Sequence, residues 1–87
     1  MPDDTTILGR FLDADGHLIT MPAKRHPRLV VLRHCADRIE PGVELEESEV
    51  NARLRPFSDD VAMLRRYLVD EGMIERRPPG IYRRSLG

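Results

Sequence analysis

Apolar positions recur at helical spacing in four stretches of the chain. In residues 5–12, Ile7, Leu8, Phe11 and Leu12 fall on one narrow face behind Thr5 or Thr6 as N-cap, which predicts a short helix. Residues 13–17 carry the Asp and Gly of a turn, and 18–21 read as a brief extended segment that Pro22 ends. Pro27 suits the first turn of a longer helix, in which Leu29, Leu32, Ala36 and Ile39 recur at spacings of three and four with Cys35 beside them. Pro41 and Gly42 stop that helix near Glu40. Leu45 and Val50 can form a hydrophobic staple around a start at Glu46, with Glu49 at N3; Val50, Leu54 and Phe57 then share a face until Pro56 interrupts. Ser58 is the expected N-cap of the next helix. Its first turn holds Asp59 and Asp60, where the dipole favours anions; Val61, Leu64 and Leu68 point inward and Gly72 ends it.

The period then changes. Met73 to Arg77 and Ile81 to Arg84 flank Pro78, Pro79 and Gly80, and proline before glycine is the signature of a type II turn, so two short strands should fold back on each other. The order helix, short helix, helix, hairpin predicts an α+β fold of the winged helix-turn-helix type: a three-helix core with a C-terminal β-hairpin wing, and a short N-terminal helix and turn as an extension. The expected division is 1–22 for the extension and 23–87 for the winged-helix-like domain, together one folding unit.

Length bounds what such a unit can do. At 87 residues, with 40% apolar and 5% aromatic positions, the chain supports one small soluble domain and no large enzyme cleft, because a chain this short buries only about 60 to 65% of its unfolded surface. No apolar run approaches the roughly 18 residues of a membrane span, and Met1, Pro2, Asp3 and Asp4 do not open a signal peptide, so no membrane and a cytoplasmic location are expected. The single cysteine, Cys35, excludes an internal disulfide and the usual zinc fingers, as suits a reducing compartment.

The net charge of −1 conceals segregation. Residues 1–22 hold four aspartates against Arg10, 23–38 are basic, 39–51 carry five glutamates and no base, and 52–87 are basic again. A local basic patch can hold phosphates on a slightly acidic protein. At 100° per residue Arg66 lies opposite the inward stripe of its helix while Arg65 borders the core. Arg76, Arg77, Arg83 and Arg84 lie on the ribbon beside Tyr82, alternating between its faces. Such a ribbon can reach a phosphate backbone or a narrow minor groove; the alternative is arginines that only solvate a marginal hairpin. Asp59 and Asp60 stand at the start of the helix that would approach nucleic acid and would repel it there, unless they turn inward to Lys24 or Arg25 or meet a protein partner. Lys24, Arg25, His26 and Arg28 oppose the dipole of the helix they begin, so helix stability does not explain their placement; a phosphate or an acidic side chain is a candidate partner, with Asp13 and Asp15 the internal answer.

Phe11 to Gly16, Pro22 to Arg25, Glu49 to Asn51 and above all Asp59 to Gly72, with its two acids, two arginines and Leu-Val-Asp ending, resemble the bacterial family catalogued as domain of unknown function 2087. The likeness runs from about Phe11 to Arg83. It implies a domain found alone or attached to helix-turn-helix transcription regulators, in a family suspected of touching nucleic acid.

Other chemistries are poorly supplied. Asp13, Asp15 and Gly16 resemble the start of a calcium loop, but the twelfth position is Lys24 and the glycine comes fourth, not sixth. His34 and Cys35 diverge on a helix and His17 and His26 lack supporting ligands, so no metal and no cofactor are expected. Cys35 reads as a small buried hydrophobe. No phosphate-cradling glycine loop, nucleophile elbow or paired acids facing each other are present, which argues against an enzyme. The expected function is a non-catalytic nucleic-acid-binding or transcription-accessory domain that contacts double-stranded DNA through Arg66, Arg76, Arg77, Tyr82, Arg83 and Arg84. The alternative is a protein-interaction module of the same shape, docking for instance a transcription regulator through the acidic residues 44–49 or the mixed face of the third helix.

Overall fold

Asp3, not Thr5 or Thr6, begins the first helix. In the computed structural model, which describes residues 3–85, its carboxylate accepts the Thr6 amide at 2.9 Å and caps α1, Asp4–Phe11. Aspartate caps at least as well as threonine, and the earlier start also sets Asp4 in the first turn. The outermost two residues at each end of the expected 1–22 and 23–87 division, Met1 and Pro2 among them, lie outside the described residues. Ile7 is buried and Leu8 and Phe11 pack on the core. In the turn that follows, Asp13 Oδ1 accepts the amides of Asp15 and His17, both at 2.9 Å, and Gly16 takes φ 82°, which favours glycine. The segment 18–21 forms no strand. Leu18 makes one isolated bridge to Leu12, its amide goes to the Phe57 carbonyl at 2.7 Å, and Ile19 donates to the Phe11 carbonyl at 2.8 Å. Its backbone therefore ties α1 to the turn after Leu54 and has no neighbouring strand to join.

Helix α2, Arg25–Ala36, has Pro27 in its first turn and buries Val30, Val31, Leu32, Cys35 and Ala36. The core stripe is thus rotated from the expected one: Leu29 is only half-buried, one turn from Arg25 and Arg33 along the rim of a surface groove. The helix stops four residues before Glu40, but the Ile39 amide still bonds the Ala36 carbonyl at 2.9 Å, and that tight turn keeps Ile39 in the core. Strand β1, Leu45–Glu46, is too short to leave an alternating pattern and was not expected. It leads directly into α3, Glu47–Leu54, through a complete capping box between Glu46 and Glu49, with Leu45 and Val50 both buried as the staple requires.

Helix α4, Val61–Asp70, is capped by Asp60, whose Oδ1 accepts the Met63 amide at 3.1 Å. Ser58, the expected cap, instead accepts the Asp60 amide at 3.0 Å, so the two aspartates precede the helix and do not occupy its first turn. Val61, Leu64 and Leu68 are buried. Gly72, at φ 73°, closes a Schellman end: its amide reaches the Val69 carbonyl at 3.0 Å and that of Met73 reaches Leu68 at 2.9 Å.

Strands β2, Ile74–Arg77, and β3, Ile81–Arg84, form the hairpin. The peptide bond between Pro78 and Pro79 is cis, and Gly80 donates to the Arg77 carbonyl at 3.1 Å, so the turn is of type VI and not type II. β1 adds to the far side of β3, pairing Leu45 with Tyr82, and the antiparallel order is β1-β3-β2. Leu45, Ile74 and Tyr82 turn one face of this sheet onto the core shared by α2, α3 and α4. Among the described residues the result is an α+β architecture of four helices and a three-stranded antiparallel sheet, compatible with a winged-helix-like fold.

Candidate nucleic-acid interface

The outer face of α4 and the adjoining hairpin enclose an open groove of about 290 Å³. Ala62, Arg65, Arg66, Val69 and Asp70 come from α4, Arg76 from β2, Tyr82 from β3 and Glu47 from the start of α3. Arg66 is exposed and Arg65 half-buried, as helical phase requires. Arg65 is held at the groove wall by the Asn51 carboxamide oxygen and by Glu47 at 3.6 Å.

Four of the expected phosphate contacts already have partners within the domain. Tyr82 is 3% exposed; its ring is core and its hydroxyl donates to Glu47 at 2.9 Å, so it does not stand free on the ribbon. Arg83 pairs at 3.1 Å with Glu75, its direct cross-strand neighbour. Arg84 reaches Asp37 at 2.9 Å and the Ile39 carbonyl at 3.3 Å, bracing the sheet against the end of α2. Arg77 lies 3.9 Å from Glu44 with both side chains largely in water, a weak pairing. Arg66 and Arg76 have no carboxylate partner among the described residues, and both line the groove.

The second expected cluster is not assembled. Arg25 turns to Glu71 and not to Asp13, Asp59 or Asp60; Lys24 is the exposed N-cap residue of α2, without a side-chain capping bond. Asp13 is spent on its own turn, Asp60 caps α4 and Asp59 is exposed. The acidic residues 44–49 are largely absorbed as well: Glu46 and Glu49 form the capping box, Glu44 faces Arg77 and Glu47 holds Tyr82 and Arg65. The importance of Glu47 and Asn51 was missed from sequence, although their spacing of four on a helix places them on one side.

Among the described residues, no three His, Cys, Asp or Glu side chains gather as a metal-holding group, and no helix is long and apolar enough to cross a membrane. Cys35 is fully buried, and loss of solvation pushes its thiol up to about 12. His34 packs edge-on against Phe57, with ring centroids 5.4 Å apart.

Fold and groove thus define a small α+β domain with a winged-helix-like outline and an arginine-flanked cleft between its last helix and its hairpin. The chain belongs to the family described as an uncharacterized protein conserved in bacteria (DUF2087), whose model matches residues 17–84. That span runs from the turn after α1 to the end of β3. No curated protein and no solved structure matches the chain.

Proposed function

We propose that the domain is a non-catalytic DNA-binding or transcription-accessory module that grips the phosphate backbone of double-stranded DNA in the groove between α4 and the hairpin. The observation that supports this reading is the pair Arg66 and Arg76: two exposed guanidiniums from different elements, unneutralised among the described residues, lining one groove. An isolated surface arginine needs no ligand, but two that line one groove without an ion pair of their own are suited to an anion. Arg83 and Arg84, engaged in internal pairs, contribute less. The capping role of Asp60 removes part of the objection raised by the acid pair, since its charge is aimed at the backbone of α4.

Binding of a random-sequence duplex, followed by fluorescence anisotropy, tests the proposal. Affinity should fall linearly with salt on logarithmic axes, and Arg66→Ala with Arg76→Ala should lower the slope by about 1 to 2 units, more than Arg83→Ala with Arg84→Ala does. Absence of binding at roughly 50 mM salt sinks the reading. It would leave docking of a protein partner, such as a transcription regulator, on the same face, which the mixture of Asp70 and Glu47 with the arginines favours.

A further inference from the structure

We infer that the carboxylate of Glu47 occupies the place of a phosphate in the α4–hairpin groove, and that an incoming backbone phosphate displaces it to bind Arg65, Arg66, Arg76 and the Tyr82 hydroxyl. The choice of a nucleic-acid phosphate as ligand rests on the function proposed above; the anion site itself rests on geometry. One oxygen of Glu47, Oε1, receives the Tyr82 hydroxyl at 2.9 Å and faces Arg65 Nη2 at 3.6 Å. Two donors from β3 and α4 therefore aim at a single point, and that point lies in a groove whose remaining cations, Arg66 and Arg76, have no described carboxylate partner.

The donors do not depend on Glu47 for their position. The Tyr82 ring is fixed by burial in the core, and Arg65, with only 18% of its side chain exposed, is anchored through Nη1 by the Asn51 oxygen. Glu47 is the loose member: its side chain is 46% exposed and sits on a two-carbon stem at the first residue of α3, while its own amide is secured to the Gly80 carbonyl at 3.1 Å. It can swing into water without disturbing backbone or core, leaving a formed cradle of hydroxyl and guanidinium. Glu47, tethered to α3, makes no ion pair with Arg66 or Arg76 among the described residues. A phosphate diester carries the same single charge, likewise over two free oxygens, but is not tied to the α3 backbone and can sit where several guanidiniums engage it at once. Displacement also removes a negative charge from the groove, where Arg65, Arg66 and Arg76 then face Asp70 alone. Glu47 would hold the site neutral enough to reject weak anions and would yield to a backbone that brings further contacts.

Glu47→Gln removes the charge but keeps an acceptor for the Tyr82 hydroxyl. Its affinity for a random duplex should rise roughly three- to tenfold at low salt, with the gain shrinking as salt screens the groove. Adding Tyr82→Phe should take back part of that gain, because the hydroxyl is one of the proposed phosphate donors. If the wild type binds DNA and Arg66→Ala weakens it, but Glu47→Gln does not tighten it, or the gain survives Tyr82→Phe intact, the inference is overturned while the DNA reading stands. If no form binds DNA, that reading fails, and inorganic phosphate decides the anion site: NMR shifts at the Arg65 and Tyr82 amides that are larger in Glu47→Gln than in wild type, against chloride at equal ionic strength, uphold it. Equal or absent shifts overturn it. Thermal melting checks that Glu47→Gln folds, and Glu47→Ala reads the same way should it not.

Discussion

Arg25 donates to Glu71 across 3.0 Å, joining the first turn of α2 to the residue that ends α4. Arg28, one turn further along α2, approaches the other Glu71 oxygen at 4.0 Å, donates to the Ala23 carbonyl at 3.1 Å and lies 5.8 Å from the centre of the Tyr67 ring. Cations at the start of a helix oppose its dipole; here a carboxylate and an aromatic face from α4 offset that cost and draw the two helices together. The arrangement is unequal. Arg25 is 70% exposed, whereas Arg28 is 21% exposed and its Nε is buried with no hydrogen-bond partner among the described residues.

That inequality sets the first expectation. Glu71→Gln should cost about 1 to 2 kcal/mol, because it strips the counter-charge from a partly buried guanidinium, while Arg25→Ala should cost under about 1 kcal/mol. A double-mutant cycle by urea denaturation should find stronger coupling of Glu71 to Arg28 than to Arg25. Equal and negligible losses would reduce the cluster to solvated charges.

The neighbouring aspartates should separate cleanly. Asp60→Ala removes the cap on the Met63 amide and should destabilise by about 0.5 to 2 kcal/mol, whereas Asp60→Asn, which still caps, should lose only the dipole share of about 0.3 to 1 kcal/mol. Asp59→Ala, at an exposed position outside the helix, should stay within about 0.5 kcal/mol of wild type. A larger loss at Asp59 than at Asp60 in thermal melts would mean that the cap is assigned to the wrong residue.

The phase of the helices can be checked by truncation. Leu68 is fully buried, so Leu68→Ala should cost about 2 to 5 kcal/mol. Leu29→Ala, on the half-buried rim of α2, should cost about 1 kcal/mol, and Ala62→Ser on the open face of α4 under about 0.5. Comparable losses at Leu68 and Leu29 would restore the stripe expected from spacing alone.

Cys35 gives the alkaline side of the stability curve a defined sign. Burial raises its thiol from 9.0 to about 12, so between these values the folded chain keeps a proton that the unfolded chain releases. Because the folded state binds more protons there, stability falls as pH rises, at a rate on the order of 1 kcal/mol per pH unit from this group. Cys35→Ala should flatten that share of the decline in denaturant melts compared at about pH 8 and pH 10. An unchanged decline in the variant would show that other groups carry it.

What the sequence determined by itself was governed by interactions within one or two helical turns. The capping box of Glu46 and Glu49, the staple of Leu45 and Val50, the inward stripe of Val61, Leu64 and Leu68, the stop at Gly72 and the hairpin around Pro78 to Gly80 all join residues three to ten apart, and their periodicity survives any tertiary context. Cap identity was less legible, since Asp3 competes with Thr5 and Thr6, and Asp60 with Ser58, at nearly equal intrinsic preference. Only the tertiary structure decided where the charges end. Arg25 meets Glu71 across 46 residues, Arg84 meets Asp37 across 47 and Tyr82 meets Glu47 across 35. β1 exists because β3 offers an edge to Leu45 and Glu46, a pairing that two residues cannot announce in advance. Counting arginines on a ribbon therefore could not distinguish Arg76 from Arg83 and Arg84: their local patterns are alike, and the difference lies in which carboxylate a distant element brings within reach. A long charged side chain takes its partner from whatever surface folding brings beside it, and that surface is set by the packing of the core.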